Sequence, residues 1–301
     1  MQRFRTAAWF RLILVTVTTI PASGVPALGG AWTLGKGETS IESYLSRYGA
    51  DRDFDGRGNV RRKPNGGKYG EVREEVKVEY GLTNDVNLLA YLPWKWAKYE
   101  DVNMACRNRG LVDMRLGAKW RLYDNSDDHN DRVLSVSVLG GFPMGYRSHE
   151  CPPLGDAQAS VEGRVLYGET FFREKVNYKG PDGNMVERSR DRLFVGAEVG
   201  YRCRFGGLAD QLVYFGQSGL LLGNGISIQG EVDGVYALPG SGRDREDYTV
   251  LRLGPVYHSW ATARPVLRAR DWMVGLFVGK TILGRNTAVG HEVVLKVILF
   301  F

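Results

Sequence analysis

Three groups of residues in this chain could carry chemistry. Gly275 to Thr281, GLFVGKT, looks like a phosphate-cradling loop. It is one residue short of the G-x-x-x-x-G-K-[ST] spacing and lies within a strand-like stretch, not between a strand and a helix, so it is set aside. His129, His149, His258 and His291 are scattered, with no spacing that suits a metal. His258 and Ser259 are neighbours, but strand alternation sends them to opposite faces, which no nucleophile and base can tolerate. G-x-S-x-G, H-E-x-x-H and C-x-x-C motifs do not occur. No enzyme and no cofactor is expected. The third group is larger: charges that recur every second residue along many segments.

That recurrence fixes the elements that carry it. In Leu111 to Tyr123, Val112, Met114, Leu116, Ala118, Trp120 and Leu122 share one face. Asp113, Arg115, Gly117, Lys119 and Arg121 share the other. Successive strand side chains point to opposite sides, so period two means a strand with one apolar and one charged surface. In VREEVKVEY, Val72, Val76, Val78 and Tyr80 oppose Arg73, Glu75, Lys77 and Glu79, with Glu74 the exception on the apolar side. Val195 and Val199 oppose Glu198 and Arg202, and Ile226, Ile228 and Val232 oppose Gln229, Glu231 and Asp233. Soluble sandwich strands average five or six residues. Alternation over ten or more matches a tilted membrane-spanning strand.

Composition agrees. The 301 residues hold 39 Gly and 34 aromatics against 11 Pro, which argues against disorder. Mean hydropathy is −0.27, and no apolar run approaches twenty residues, which excludes a helical membrane bundle. A transmembrane β-barrel evades hydropathy because its strands alternate. Twelve strands are expected: 38–49, 69–81, 86–97, 111–123, 133–144, 158–169, 192–205, 210–222, 226–238, 248–260, 272–284 and 291–301. The fold class is therefore all-β, an antiparallel up-and-down transmembrane barrel. Tight turns at 82–85 and 223–225 fall on one side, and the long segments 50–68, 98–110 and 145–157 on the other. The stretch 170–190 falls on the tight-turn side by this count, as an insertion or as a sign of one miscounted strand.

Residues 1–29 read as a secretory signal peptide, leaving 30–301 as the barrel. Arg3, Arg5 and Arg11 precede a short apolar core, Leu12 to Ile20, then Pro21 and small residues up to Ala27 and Gly29. Cleavage after Gly29 removes three arginines and lowers the formal charge from +6 to +3, so nucleic acid is not an expected partner. The far end reads HEVVLKVILFF. Leu299 and Phe301 close an apolar face ending in a terminal aromatic, an assembly signal for the barrel-building machinery. Trp94, Trp96, Tyr99, Trp120, Tyr123, Tyr201, Trp260, Trp272 and Phe301 lie near strand ends and suit interfacial girdles.

The charged face should line the lumen: Arg73, Glu75, Lys77, Glu79, Asp113, Arg115, Lys119, Arg121, Glu162, Arg164, Glu198, Arg202, Glu231, Asp233, Arg252 and Lys296. Both signs are present in near balance, unlike the single-sign ring of an ion-selective pore. Cross-lumen pairing that fills a narrow barrel and a polar path for a small hydrophilic solute or glycan are both open. Of three cysteines, Cys106 and Cys151 fall on outer loops one hairpin apart and are expected to pair in the oxidising periplasm, with Cys151–Cys203 or three free thiols the alternatives.

The blocks GAWTLGKGETSIESYLSRY, EYGLTNDVNL, GLVDMRLGAKWRLY, ASVEGRVLYGETF, FGGLADQL and LGRNTAVGHEVVL resemble a family of Gram-negative outer-membrane barrels labelled as transporters, XagA-type proteins among them. The resemblance implies a twelve-strand barrel with both termini periplasmic. It also implies an association with exopolysaccharide and biofilm loci, and hence export of a polymer. It brings no site residues, and the long 170–190 connection departs from it. The expected function is an outer-membrane channel or transporter for a small polar solute or glycan. The alternatives are a structural or exopolysaccharide-associated barrel without a conducting pore, and an outer-membrane enzyme. Expected partners are outer-membrane lipid and lipopolysaccharide, the assembly machinery, and a polysaccharide or small solute.

Overall fold

A computed structural model describes residues 30–126, 131–146, 150–179, 185–223, 225–239, 246–259 and 271–301. The signal-peptide reading of 1–29, and Trp260 of the aromatic set, lie outside the described residues.

Alternation produces long strands: β1 (Thr39–Phe54), β2 (Val60–Arg62), β3 (Lys68–Gly81), β4 (Val86–Glu100), β5 (Ala105–Leu111), β6 (Met114–Ser126), β7 (Asp131–Phe142), β8 (Ser160–Lys179), β9 (Met185–Arg204), β10 (Gln211–Gly223), β11 (Ile226–Ala237), β12 (Asp247–His258), β13 (Asp271–Arg285) and β14 (Thr287–Phe300). Each pairs antiparallel with its neighbours, and β14 pairs with β1 from Ser40↔Phe300 to Phe54↔Thr287, closing the sheet. β2 only folds back on β1, and β5 on β4, so twelve strands form the wall. Closure leaves no free edge, the condition for a sheet to live in lipid.

The twelve strands are those read from the sequence, with one break. The expected strand 111–123 divides at Val112–Asp113, where β5 ends and β6 begins. Residues 170–179 and 185–190, the described part of that stretch, belong to neither a separate insertion nor a lost strand. β8 and β9 continue as one hairpin beyond the wall, paired from Arg173↔Asp191 to Lys179↔Met185.

Apolar side chains cover the outer surface of the wall. Leu45, Leu88, Leu116, Val165, Val199, Leu253, Val278 and Leu295 are all exposed there, the face that lipid covers. Trp96, Trp120, Tyr123 and Tyr201 join them, whereas Tyr99 departs from the girdle and donates to Asp101 Oδ2 at 3.1 Å. The turn between β3 and β4 is held by Thr83, whose Oγ1 accepts from the amides of Asp85 (3.2 Å) and Val86 (3.0 Å). Leu299 lies between Trp272 and Ile41, and Phe301 exchanges backbone hydrogen bonds with Thr39.

Candidate functional site: the barrel lumen

Inward-pointing charges form a connected lattice. Glu79 takes Lys119 at 2.6 Å and Lys77 at 3.4 Å, and Asn87 Nδ2 donates to it at 2.5 Å. Glu75 takes Arg73 at 2.6 Å and Arg115 at 3.5 Å. Glu162 bridges Arg164 and Arg202, the latter at 2.6 Å, and Arg164 reaches on to Glu198 at 2.8 Å. Near the closing seam, Arg252 on β12 joins Glu292 on β14 (2.6 Å) and Asp233 (3.5 Å) and Glu231 (3.8 Å) on β11. Lys296 joins Glu231 at 2.6 Å and Glu42 at 3.6 Å. Guanidinium and ammonium groups also lie over rings: Arg115 over Tyr91 at 4.4 Å and Lys296 over Phe277 at 5.4 Å. Glu292 is inward by alternation, as expected of a charged-face residue, whereas Glu42 was legible as a polar position but stands outside the lining residues expected from the sequence.

Two of those sixteen lie elsewhere. Asp113 is in the break between β5 and β6, where the Tyr146 hydroxyl donates to it. It belongs to the loop-bearing mouth, not to the wall. Arg121 keeps its inward facing, opposite the buried Ser135, but stands at the opposite rim, bonded to Asp85 at 2.7 Å and to Asp124 at 2.6 Å.

At the mouth, Cys106 and Cys151 form a disulfide with their Cα atoms 5.7 Å apart, and Cys203 is a free thiol. Asn108 Nδ2 donates to Glu150 at 2.8 Å beside the bridge, and Arg204 binds Asp156 at 2.8 Å. These contacts lay residues 150–156 against β5 and the end of β9. Burial pushes the Asp113 carboxyl above its ordinary range, outweighing the Tyr146 hydrogen bond that favours the anion. Burial, and then donation to Asp113, raise the Tyr146 phenol as well.

The lumen also holds what alternation did not reveal. Residues 30–38 precede β1 and run inside the barrel. Lys119 Nζ donates to the carbonyls of Gly30 (3.1 Å) and Trp32 (2.5 Å), and Ser135 Oγ donates to Ala31 O. Thr33 Oγ1 and the Lys36 amide bond Asn84 in the β3–β4 turn. The segment therefore enters from the tight-turn end. Two apolar clusters grip it: Ala31 and Trp32 against Val133 and Leu166, and Leu34 against Val256, Met273, Phe277, Val294, Ile298 and Phe300. Two glycines make the room. A Cβ on Gly81 would meet Gly35 O at 2.0 Å, and one on Gly168 would meet the Trp32 ring at 2.4 Å. Ile298 thus faces inward but into an apolar cluster, so it is not a polar lumen position.

His258 and Ser259 serve separate partners. His258 Nε2 is 2.9 Å from Ser227 Oγ, while Ser259 Oγ accepts from the Trp272 amide at 2.8 Å. Gln229 also donates to Ser227 Oγ at 3.1 Å, and all three side chains are buried, which makes a structural network. Among the described residues no His, Cys, Asp and Glu group could hold a metal ion.

No family model and no curated protein matches the chain. Solved structures do. The COG4313 outer membrane channel from Pseudomonas putida F1 is similar over 92% of this chain and 100% of that chain, with TM-score 0.64 and 13% identity. The translocator domain of autotransporter NalP from Neisseria meningitidis is similar over 88% of this chain and 89% of that one, with TM-score 0.39 and 12% identity. At these identities the likeness is one of fold. A closed twelve-strand barrel with an apolar outer face places the chain in the cell outer membrane.

Proposed function

We propose that the barrel is a channel for a small solute, closed on its tight-turn side by residues 30–38 and opened when that segment leaves the lumen. The observation that carries this reading is the segment itself, held inside by Lys119 and Ser135 and by two apolar clusters. A twelve-strand wall lies between eight-strand barrels, filled by side chains, and sixteen-strand porins with open water. A peptide seated in such a lumen supports a path wide enough to be occupied and vacated. Away from the Leu34 cluster the path is lined by paired charges and by Tyr91, which favours a solute with polar groups over a bare hydrocarbon. A polymer such as an exopolysaccharide would need the segment fully displaced.

A second reading, a structural barrel that never conducts, draws on the charge lattice, which bridges neighbouring strands without a single-sign ring. Planar-bilayer recording separates the two. Wild type should show rare, small openings, and a variant lacking residues 30–36 should show frequent, larger steps. A deletion variant that folds and stays silent would establish the structural reading.

A further inference from the structure

The outer surface of the wall is not uniform around its circumference. On β14, β1, β3 and β4, hydrogen-bonded register puts Val293, Arg47, Val72 and Trp96 side by side, and Arg109 on β5 continues the row. The next outward row toward the loop-bearing end runs Lys280, His291, Gly49, Gly70, Lys98 and Arg107. Their outward direction follows from alternation with Leu45, Val278, Val293 and Trp96, all exposed on the lipid face. Arg47, Lys98, Arg109 and Lys280 are themselves exposed.

These cations differ from those inside. Each lumen cation described above has a carboxylate within 4.0 Å. Among the described residues, Arg47, Lys98, Arg109 and Lys280 take part in no ion pair. The outward carboxylates nearby are few: Glu74, one position diagonal from Arg47, and Glu100, which is 3.8 Å from Arg107. The rest of the circumference is apolar toward the same end, with Phe142, Val161, Tyr201, Leu212 and Tyr236 exposed. An unpaired cation beside lipid is costly unless an anion meets it. Above the apolar band, at the end opposite Thr39 and Phe301, lies the outer leaflet.

We propose that the outward face of β13, β14, β1, β3, β4 and β5 binds the phosphate groups of a lipid A-type headgroup, with Trp96 packing against its sugar and acyl region. Arginine forks suit phosphate oxygens. The pore reading plays no part in this, since none of these side chains enters the lumen.

Native mass spectrometry of the folded, detergent-solubilised barrel tests it, titrated with bisphosphorylated lipid A, dephosphorylated lipid A, or inorganic phosphate. Wild type should retain bisphosphorylated lipid A, and Arg47→Ala/Arg109→Ala/Lys280→Ala should bind it about 100-fold more weakly, taking about fivefold per cation near an anionic surface. Arg132→Gln, at the opposite rim, should bind as wild type. Heat-modifiable migration confirms folding. If the triple variant fails to fold, Lys98→Glu alone should weaken binding at least tenfold. Three results would overturn the proposal: the folded variants bind lipid A as wild type does, dephosphorylated lipid A binds equally, or millimolar inorganic phosphate displaces the lipid.

Discussion

Trp32 is the side chain on which docking of the 30–38 segment turns. Its ring lies where a Cβ on Gly168 would be, with six-ring atoms at 2.4 and 2.5 Å from that position, and packs on Val133 and Leu166. The polar anchors of the segment are the backbone carbonyls of Gly30, Ala31 and Trp32 and the Thr33 hydroxyl and Lys36 amide on Asn84, so replacing the Trp32 side chain leaves them in place. A Trp buries on the order of 150–250 Å² when fully enclosed. At about 25 cal/mol per Å² that is about 4–6 kcal/mol. Trp32 is only partly enclosed, so Trp32→Ala should weaken docking by about 3 kcal/mol. At about 1.4 kcal/mol per decade, the undocked population rises about 150-fold.

The assay is thiol labelling of Ser137→Cys in a Cys203→Ser background, with a charged, membrane-impermeant reagent. Ser137 is buried on the inward face of β7, opposite Lys119, so its labelling rate reports opening of the lumen around the segment. Trp32→Ala should raise that rate about 100-fold, and single-channel open probability should rise with it. Gly168→Ala attacks the same contact from the wall. Its Cβ forces the ring aside and should act in the same direction without touching the segment. Labelling within twofold of wild type in both variants, with intact folding, would refute the reasoning, because the apolar grip would then carry none of the closure.

Further outcomes follow from the same structure. On the lipid face, Val199→Arg should cost about 2–4 kcal/mol near mid-bilayer, read from refolding titrations in vesicles, and a loss under 0.5 kcal/mol would show the register to be wrong. Ile298→Arg should be at least as costly, since it buries an unpaired charge among Leu34, Phe277 and Val294. Cys106 should resist alkylation until reductant is added, and opening the bridge should cost the mouth up to about 4 kcal/mol for a 45-residue separation. For Asp113 the folded carboxyl titrates above its ordinary value, so the folded state holds the proton longer. Its contribution is fully present below the ordinary Asp range and is lost as pH rises through the raised value. Amide exchange across 146–157 should therefore accelerate over that window, and Asp113→Asn should abolish the acceleration. Signal-peptide removal after Gly29 predicts a mature chain beginning at Gly30, which intact mass decides.

How much of this was legible beforehand depends on the range of the signal. Period-two alternation is local, so the wall strands and the lipid face could be read from Val112–Trp120 or Val195–Val199 alone. One break was not legible. Val112 and Asp113 continue the alternation of their neighbours, yet β4 leaves β6 for β5 there: Trp94 pairs with Leu111 and Tyr91 with Arg115. Alternation states which face a residue takes, not which strand it pairs with. For Arg121 alternation gives the facing, opposite the buried Ser135, but not the height along the barrel, which is the rim.

The occupied lumen is the deeper case, because its signal was written in residues that looked like exceptions. Phe277, Val294, Ile298 and Met273 are apolar side chains on the inward face, where a polar channel would place charges. Read strand by strand, they weaken the alternation of β13 and β14. Taken together they line one side of a cavity into which Leu34 fits. Gly168 and Gly81 likewise read as weak strand residues, yet each is the space that a Trp ring or a carbonyl from residues 30–38 occupies. The segment itself, GAWTLGKG, has no period at all. Its position is fixed by backbone carbonyls bonded to Lys119 and Ser135, and acceptors of that kind belong to every residue and mark none. A plug is therefore visible in sequence only through the wall that receives it, as inward apolar residues and interior glycines interleaved with the charges on the same strands, Val294 and Ile298 beside Glu292 and Lys296.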